Sequence, residues 1–148
     1  MKIVVQRVSR AAVRVEGRVV GEIGRGLLLL VGIEKGDDEG ILDTLSDKVV
    51  NLRIFPDATG KMNLSSLDER TAVLAVSQFT LAGSLERGRR PSFENAAPAE
   101  EARDLFQRFV KKLQSRGLQV ETGIFRALME VELVNDGPVT FVLEGGTR

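Results

Sequence analysis

Three short stretches hold the residues that could do chemistry. Ser77-Gln78-Phe79-Thr80-Leu81 brings two hydroxyls and an amide to the end of an apolar run. Arg87-Gly88-Arg89-Arg90-Pro91-Ser92 concentrates guanidinium groups, whose planar forks match the oxygens of phosphate. Asn135-Asp136-Gly137-Pro138-Val139-Thr140 joins a residue free to take positive φ to one whose ring fixes φ and removes an amide donor. Two readings of that last stretch stand side by side. It is a β-hairpin turn, which composition favours, or it holds backbone carbonyls rigidly toward a ligand. An X-Pro bond is cis in only about 5–6% of folded cases, so the dipeptide leaves the isomer open.

The missing residue types narrow the chemistry further. The 148 residues include no His and no Cys. Disulfides, thiolate nucleophiles, Cys-ligated metals and Ser-His-Asp triads are therefore excluded. A hydroxyl nucleophile at Ser77 or Thr80 needs a base. Lys could serve, but no spacing points to one, which disfavours a covalent mechanism. No acidic cluster has metal-site spacing, although oxygen-only Mg²⁺ binding stays open. Tyr and Trp are absent too, leaving seven Phe as the aromatic platforms. Any catalysis must come from carboxylates, Lys, hydroxyls, backbone groups or the substrate itself.

The elements that must position these stretches are legible from periodicity. Lys2–Val8 and Ala12–Val15 alternate as strands, and Glu16-Gly17 suits a hairpin turn into Val19–Ile23. Leu27–Ile33 is apolar on both faces, as expected of a strand buried on both sides. Asp37 or Asp38 can cap a helix whose inner face is Ile41, Leu45, Val49 and Leu52. A short strand is expected at Arg53–Phe55, a turn at 56–60 and a long strand over Thr71–Leu81. A Gly- and Arg-rich loop follows at Ala82–Pro91. Pro98 opens a second helix, striped by Ala102, Leu105, Phe106, Phe109, Val110 and Leu113, which Gly117 ends. Leu118–Glu121 resumes strand, and two further strands, 128–134 and 139–143, flank the Gly-Pro stretch as a hairpin.

These elements predict a single α/β domain over residues 1–148, with about eight strands and two main helices. Hydrophobic and charged fractions of 43% and 28% are ordinary for a globular protein. Lys and Arg total 21 and Asp and Glu total 21, a balance that argues against broad non-specific nucleic-acid binding. No apolar run is long enough to span a bilayer, and Met1-Lys2 leads directly into a strand. A cytoplasmic protein without membrane partners is expected.

Taken together, the three motifs resemble the signature stretches of the D-aminoacyl-tRNA deacylases, the D-Tyr-tRNA deacylase family. Val5-Gln6-Arg7-Val8-Ser9-Arg10-Ala11 and Asn51-Leu52-Arg53-Ile54-Phe55 are similar as well. The resemblance runs the length of the chain, in order. It implies homodimers of β/β/α layering that hydrolyse the ester between a D-amino acid and the 3′ end of tRNA, and also clear mischarged glycine. No metal and no cofactor are implied. Ser77, Gln78, Phe79 and Thr80 would line the pocket with Met129 nearby, and amides around Phe79 and Thr80 would stabilise the oxyanion. The ribose 2′-hydroxyl would assist, with Thr80 as nucleophile a second-ranked possibility. A cis Gly137-Pro138 pair, held by Arg7, would reach into the partner's site and crowd out L side chains. Arg87, Arg89 and Arg90 are candidate tRNA contacts.

Two departures from the family pattern stand out. Phe125-Arg126-Ala127-Leu128-Met129 carries Arg where the family commonly has Gly, and Ala82-Gly83-Ser84 replaces a Tyr-Ala-Asp-like run. Arg126 adds bulk and charge close to the pocket. Two rival readings remain: a trans Gly-Pro relative that edits a mischarged L-aminoacyl-tRNA, and a non-catalytic tRNA-binding dimer.

Overall fold

A computed structural model describes residues 1–146. Thr147 and Arg148, the end of the expected 1–148 domain, lie outside the described residues. The chain forms one α/β domain. Strands β1 (Lys2–Val15), β2 (Arg18–Ile23), β3 (Gly26–Gly32), β6 (Ala72–Ser77), β7 (Gln119–Thr122) and β8 (Glu130–Glu144) share one sheet. A small ribbon pairs β4 (Phe55–Pro56) with β5 (Met62–Leu64). Helices α1 (Glu39–Asn51) and α3 (Ala99–Ser115) are the two main helices, and α2 (Ser66–Glu69) is a single turn.

The first strand organises the sheet because it is long enough to serve three partners. Its first half pairs with β3, its second half pairs with β2, and β8 runs antiparallel along its other edge. β3, β6 and β7 continue in parallel. The sheet curls until Gly21 of β2 lies against the Thr122 carbonyl of β7, a position with no room for a side chain.

Curling creates two apolar layers. Val8, Ala11, Val13, Ile23, Leu28, Leu74 and Val76 fill the inside of the curl. Leu27, Leu29, Val31, Val73 and Ala75 point the other way, against Leu42, Leu45 and Val49 of α1 and Phe106, Phe109 and Leu113 of α3. Successive side chains of a strand alternate faces, so β3 and β6 must be apolar throughout. That is the origin of the Leu27–Ile33 run and of the β/β/α layering.

Several boundaries differ from the sequence expectation. Lys2–Val8 and Ala12–Val15 are one strand, kinked by register shifts after Gln6 and Val8. The buried face of α1 includes Leu42, Leu45, Val49 and Val50, with Ile41 and Leu52 only partly covered. Asp38 is its cap, accepting from the Ile41 amide at 3.0 Å. The short strand expected at Arg53–Phe55 lies at Phe55–Pro56. Pro98 is the residue before α3, not its first turn.

Two differences matter for the site. The expected strand Thr71–Leu81 ends at Ser77, and Phe79–Ala82 form a 3-10 turn. The two strands expected to make a hairpin around Gly137-Pro138 are instead one strand, β8, both halves of which pair with β1. Val8 faces Asn135 while Gln6 faces Thr140, so β8 makes a wide bulge between them. The bulge also switches faces. Val131 and Leu133 pack into the curl, whereas Val139 and Leu143 join the helix-side core. Alternation on both sides of a turn signal looks alike for a hairpin and a bulge, because only the pairing partner distinguishes them.

The exposed sides of α1 and α3 are joined by ion pairs. Lys112 Nζ lies 2.9 Å from Glu39 and 2.7 Å from Asp43, and Arg108 lies 3.0 Å from Glu39. The Lys112 hydrogen bonds are the main cause holding the Glu39 and Asp43 carboxyls below their ordinary range. A carboxyl lowered by folding contributes stability that is complete above its ordinary pKa and is lost as pH falls through the lowered value. In chemical denaturation between about pH 6 and pH 2, the parent is expected to lose more stability on acidification than Lys112→Met. Parallel pH curves would show the pairs to be without effect.

Candidate active site

β6 delivers the first motif. Its parallel pairing with β3 ends at Ser77 opposite Val31, and the Gln78 amide still donates to the Val31 carbonyl at 2.8 Å. Beyond that bond the backbone turns, with Gln78 at φ −137° and ψ 81°, into the 3-10 turn Phe79–Ala82. Gly32 permits this turn to dock against the end of β3, since a Cβ there would stand 2.8 Å from Leu81 Cβ and 3.0 Å from the Gln78 carbonyl oxygen. The leading amides of a 3-10 turn, here Phe79 and Thr80, have no acceptor within it.

This corner opens onto a cavity of about 510 Å³. Ser77, Gln78 and Phe79 line one side, and Met129 and Val131 of the β8 side line another. The start of α3 closes a third side through Ala97, Ala99 and Ala102, and the turn Phe125–Ala127 borders the mouth. Apolar surface dominates, with a few convergent polar groups, as is usual for small-molecule sites. No carboxylate, Lys or metal-binding cluster lines it. Phe79 is exposed and its ring centroid is 5.1 Å from that of Phe93.

Thr80 was expected in the pocket lining, and it is not among the residues that form the wall. The 3-10 turn rotates it off the Ser77 face. Its hydroxyl instead accepts a hydrogen bond from the Gln78 side-chain amide. Among the described residues no carboxylate or Lys hydrogen-bonds this hydroxyl.

The Gly-Pro bulge lies elsewhere on the chain. The Gly137–Pro138 bond is cis, and Gly137 has φ +146°. Arg7 braces the bulge: its Nε donates to the Asp136 carbonyl at 3.0 Å, and its Nη1 donates to the Ile54 carbonyl at 2.7 Å. Asn135 accepts from the Val139 amide at 2.7 Å and donates to the Thr140 hydroxyl at 2.9 Å, closing the loop on itself. Asp136, Gly137 and Pro138 are exposed and do not line the chain's own cavity. Two clusters thus exist in one chain: Ser77, Gln78, Phe79 and Met129 around the cavity, and Arg7, Gly137 and Pro138 around the bulge.

Arg87, Arg89 and Arg90 sit on the exposed loop after the 3-10 turn, which the Ser84–Ser92 backbone pair closes. Arg87 borders a small polar hollow with Glu86 and Glu94, away from the cavity. None of the three forms an ion pair among the described residues. Sequence reasoning missed the small residues Ala97 and Ala99, and read Ala102 only as part of the helix stripe. Their signal was present as a run of Ala beside Pro98, but alanines carry no functional chemistry by which to single them out.

Comparison with known proteins identifies the family. The model of the family described as D-Tyr-tRNA(Tyr) deacylase matches residues 4–144. A D-aminoacyl-tRNA deacylase of Geotalea uraniireducens is 61% identical over 97% of this chain and 93% of its own. Another, from Geobacter sulfurreducens, is 55% identical over 100% of this chain and 97% of its own. Among solved structures, the c-Myc DNA Unwinding Element Binding Protein superposes with a TM-score of 0.94 at 41% identity, covering 99% of this chain and all of that one. A probable eukaryotic D-amino acid tRNA deacylase shares the fold, with a TM-score of 0.82 at 16% identity over 96% of this chain and 97% of its own. With the family model matched over residues 4–144 and relatives 55–61% identical over nearly the whole chain, this chain belongs to the D-Tyr-tRNA(Tyr) deacylase family.

Proposed function

We propose that the protein hydrolyses the ester joining a D-amino acid, or mischarged glycine, to the 3′ end of tRNA, and spares L-aminoacyl-tRNA. The observation that carries this reading is the cavity at the end of β6, walled by Ser77, Gln78 and Phe79 and free of any acid, base or thiol of its own. An ester seated there with its carbonyl toward the 3-10 turn would meet the Phe79 amide, with the Thr80 amide next to it in the turn. Those donors stabilise the charge that develops as water adds to the carbonyl carbon. The bond between that carbon and the ribose 3′ oxygen then breaks, and the oxygen takes up a proton. With no protein base in the cavity, the adjacent ribose 2′-hydroxyl is the natural group to relay that proton. Thr80 as nucleophile fits less well, because its hydroxyl is engaged by Gln78.

Selection against L-amino acids is assigned to the bulge of a second copy. Asp136, Gly137 and Pro138 project from β8, with Arg7 holding the Asp136 carbonyl and Asn135 holding the Val139 amide on the far side of the bulge. In a two-fold dimer, each bulge would enter the partner's cavity and occupy the volume an L side chain needs. Among the described residues β8 pairs with β1 alone and leaves Val134, Phe141 and Val142 exposed, which is apolar surface suited to such an interface. No helix is long and apolar enough to cross a membrane. A tRNA ester as substrate fits a cytoplasmic enzyme, with the Arg87–Arg90 loop available to RNA phosphates.

A second reading, nucleic-acid binding without turnover, is favoured by likeness to one solved neighbour, the c-Myc DNA Unwinding Element Binding Protein. One assay separates the possibilities: deacylation of D-Tyr-tRNA, L-Tyr-tRNA and Gly-tRNA at catalytic enzyme concentration. Loss of the D and glycyl esters with the L ester intact is the expected result. Loss of the L ester would favour an L-editing relative, and no hydrolysis at all would favour the binding module.

A further inference from the structure

Of the residues lining the cavity, Arg126 alone carries a charge. Its guanidinium forms no ion pair among the described residues, and the side chain is exposed at the mouth. Its backbone is unusual. The Ala127 amide donates to the Ile124 carbonyl at 3.2 Å, closing a turn in which Arg126 is the third residue with φ +66°. That position suits Gly or Asn, and an arginine there holds its backbone at a cost a glycine would avoid. Such strain tends to persist where the side chain is used.

The rest of the lining is neutral. Ser77 and Gln78 supply polar groups, and Ile33, Val76, Met129 and Val131 supply apolar wall for an amino-acid side chain. A free cation at the rim of a neutral cavity is suited to an anion that stays near solvent while the acyl group goes inside. An RNA 3′ end offers that anion as the phosphodiester before its terminal nucleoside. We propose that Arg126 is a substrate-binding residue that grips this terminal phosphodiester through its guanidinium fork. The inference rests on the deacylase reading and adds a contact to the RNA, not to the amino acid.

The test compares the parent with Arg126→Gln, Arg126→Lys and Arg126→Gly on three substrates. These are D-Tyr-tRNA, D-Asp-tRNA and the phosphate-free ester D-tyrosyl-adenosine. Arg126→Gln is expected to raise KM for both tRNA esters about tenfold, with kcat within about twofold. It should leave D-tyrosyl-adenosine unchanged and lower the slope of log affinity against log salt by about 0.7. Arg126→Lys should recover part of the KM. Arg126→Gly should raise Tm yet show the same KM increase, separating charge from backbone strain. An unchanged KM in Arg126→Gln would overturn the inference, as would an equal defect on the phosphate-free ester. A defect confined to D-Asp-tRNA would also overturn it, by assigning the anion to the amino acid. Failure of the parent to turn over any ester would overturn the deacylase reading itself, and this contact with it.

Discussion

Gly137→Ala is expected to lower stability by about 1–3 kcal/mol and to erode the preference for D- over L-aminoacyl-tRNA by about ten- to a hundredfold. Gly137 has φ +146°, a conformation that L residues rarely adopt. An added Cβ would stand 2.6 Å from Val139 Cγ2 and 2.9 Å from the Val139 nitrogen. That nitrogen is the donor to Asn135 Oδ1 that closes the bulge, so the clash falls on the bond holding the loop in shape. The added methyl group would also lie 3.3 Å from an Arg7 guanidinium nitrogen, disturbing the brace on the other side. If the bulge excludes L side chains, its displacement should admit them while D-ester hydrolysis declines less. Thermal unfolding combined with parallel D-Tyr-tRNA and L-Tyr-tRNA assays would check this. An unaltered D-to-L ratio in a folded variant would remove the bulge from chiral selection.

Gly32→Ala should reduce kcat by about a hundredfold while costing only about 1–3 kcal/mol of stability. Gly32 is the last residue of β3, and the Phe79–Ala82 turn rests on it. A methyl group there would meet Leu81 Cβ at 2.8 Å and the Gln78 carbonyl at 3.0 Å, both backbone-fixed atoms. The turn must therefore move away from β3, carrying the Phe79 and Thr80 amides with it. Displacing oxyanion donors by about an ångström is costly because their worth depends on being aimed beforehand. Gly24→Ala is the control, since a Cβ there meets nothing within 4 Å. Equal kcat values for the two variants would show that these amides do not carry the reaction.

Much of the frame was legible in the sequence. The Leu27–Ile33 run, the α3 stripe and the Glu16-Gly17 turn depend on local periodicity and turn chemistry, and each forms nearly where the pattern puts it. Boundaries failed where tertiary contacts overrode the pattern. Phe79-Thr80-Leu81 continues the alternation of β6, but β3 ends at Gly32 and offers no further partner, so the backbone turns into a 3-10 helix. Phe79 then stays exposed at the cavity wall.

The sequence by itself determined the absence of His and Cys, and with it the exclusion of thiol and imidazole chemistry. It also supplied the motifs by which the family is recognised. Only the tertiary structure decided that β8 is a single bulged strand and that Arg7 spans from Ile54 to Asp136. The same holds for the tight turn from Ile124 to Ala127 that puts Arg126 at positive φ. Residue types report what chemistry is possible, because that is a property of the side chain. Which groups meet depends on strand pairing between segments as distant as Arg7 and Asp136, and one sequence read locally carries no record of that pairing.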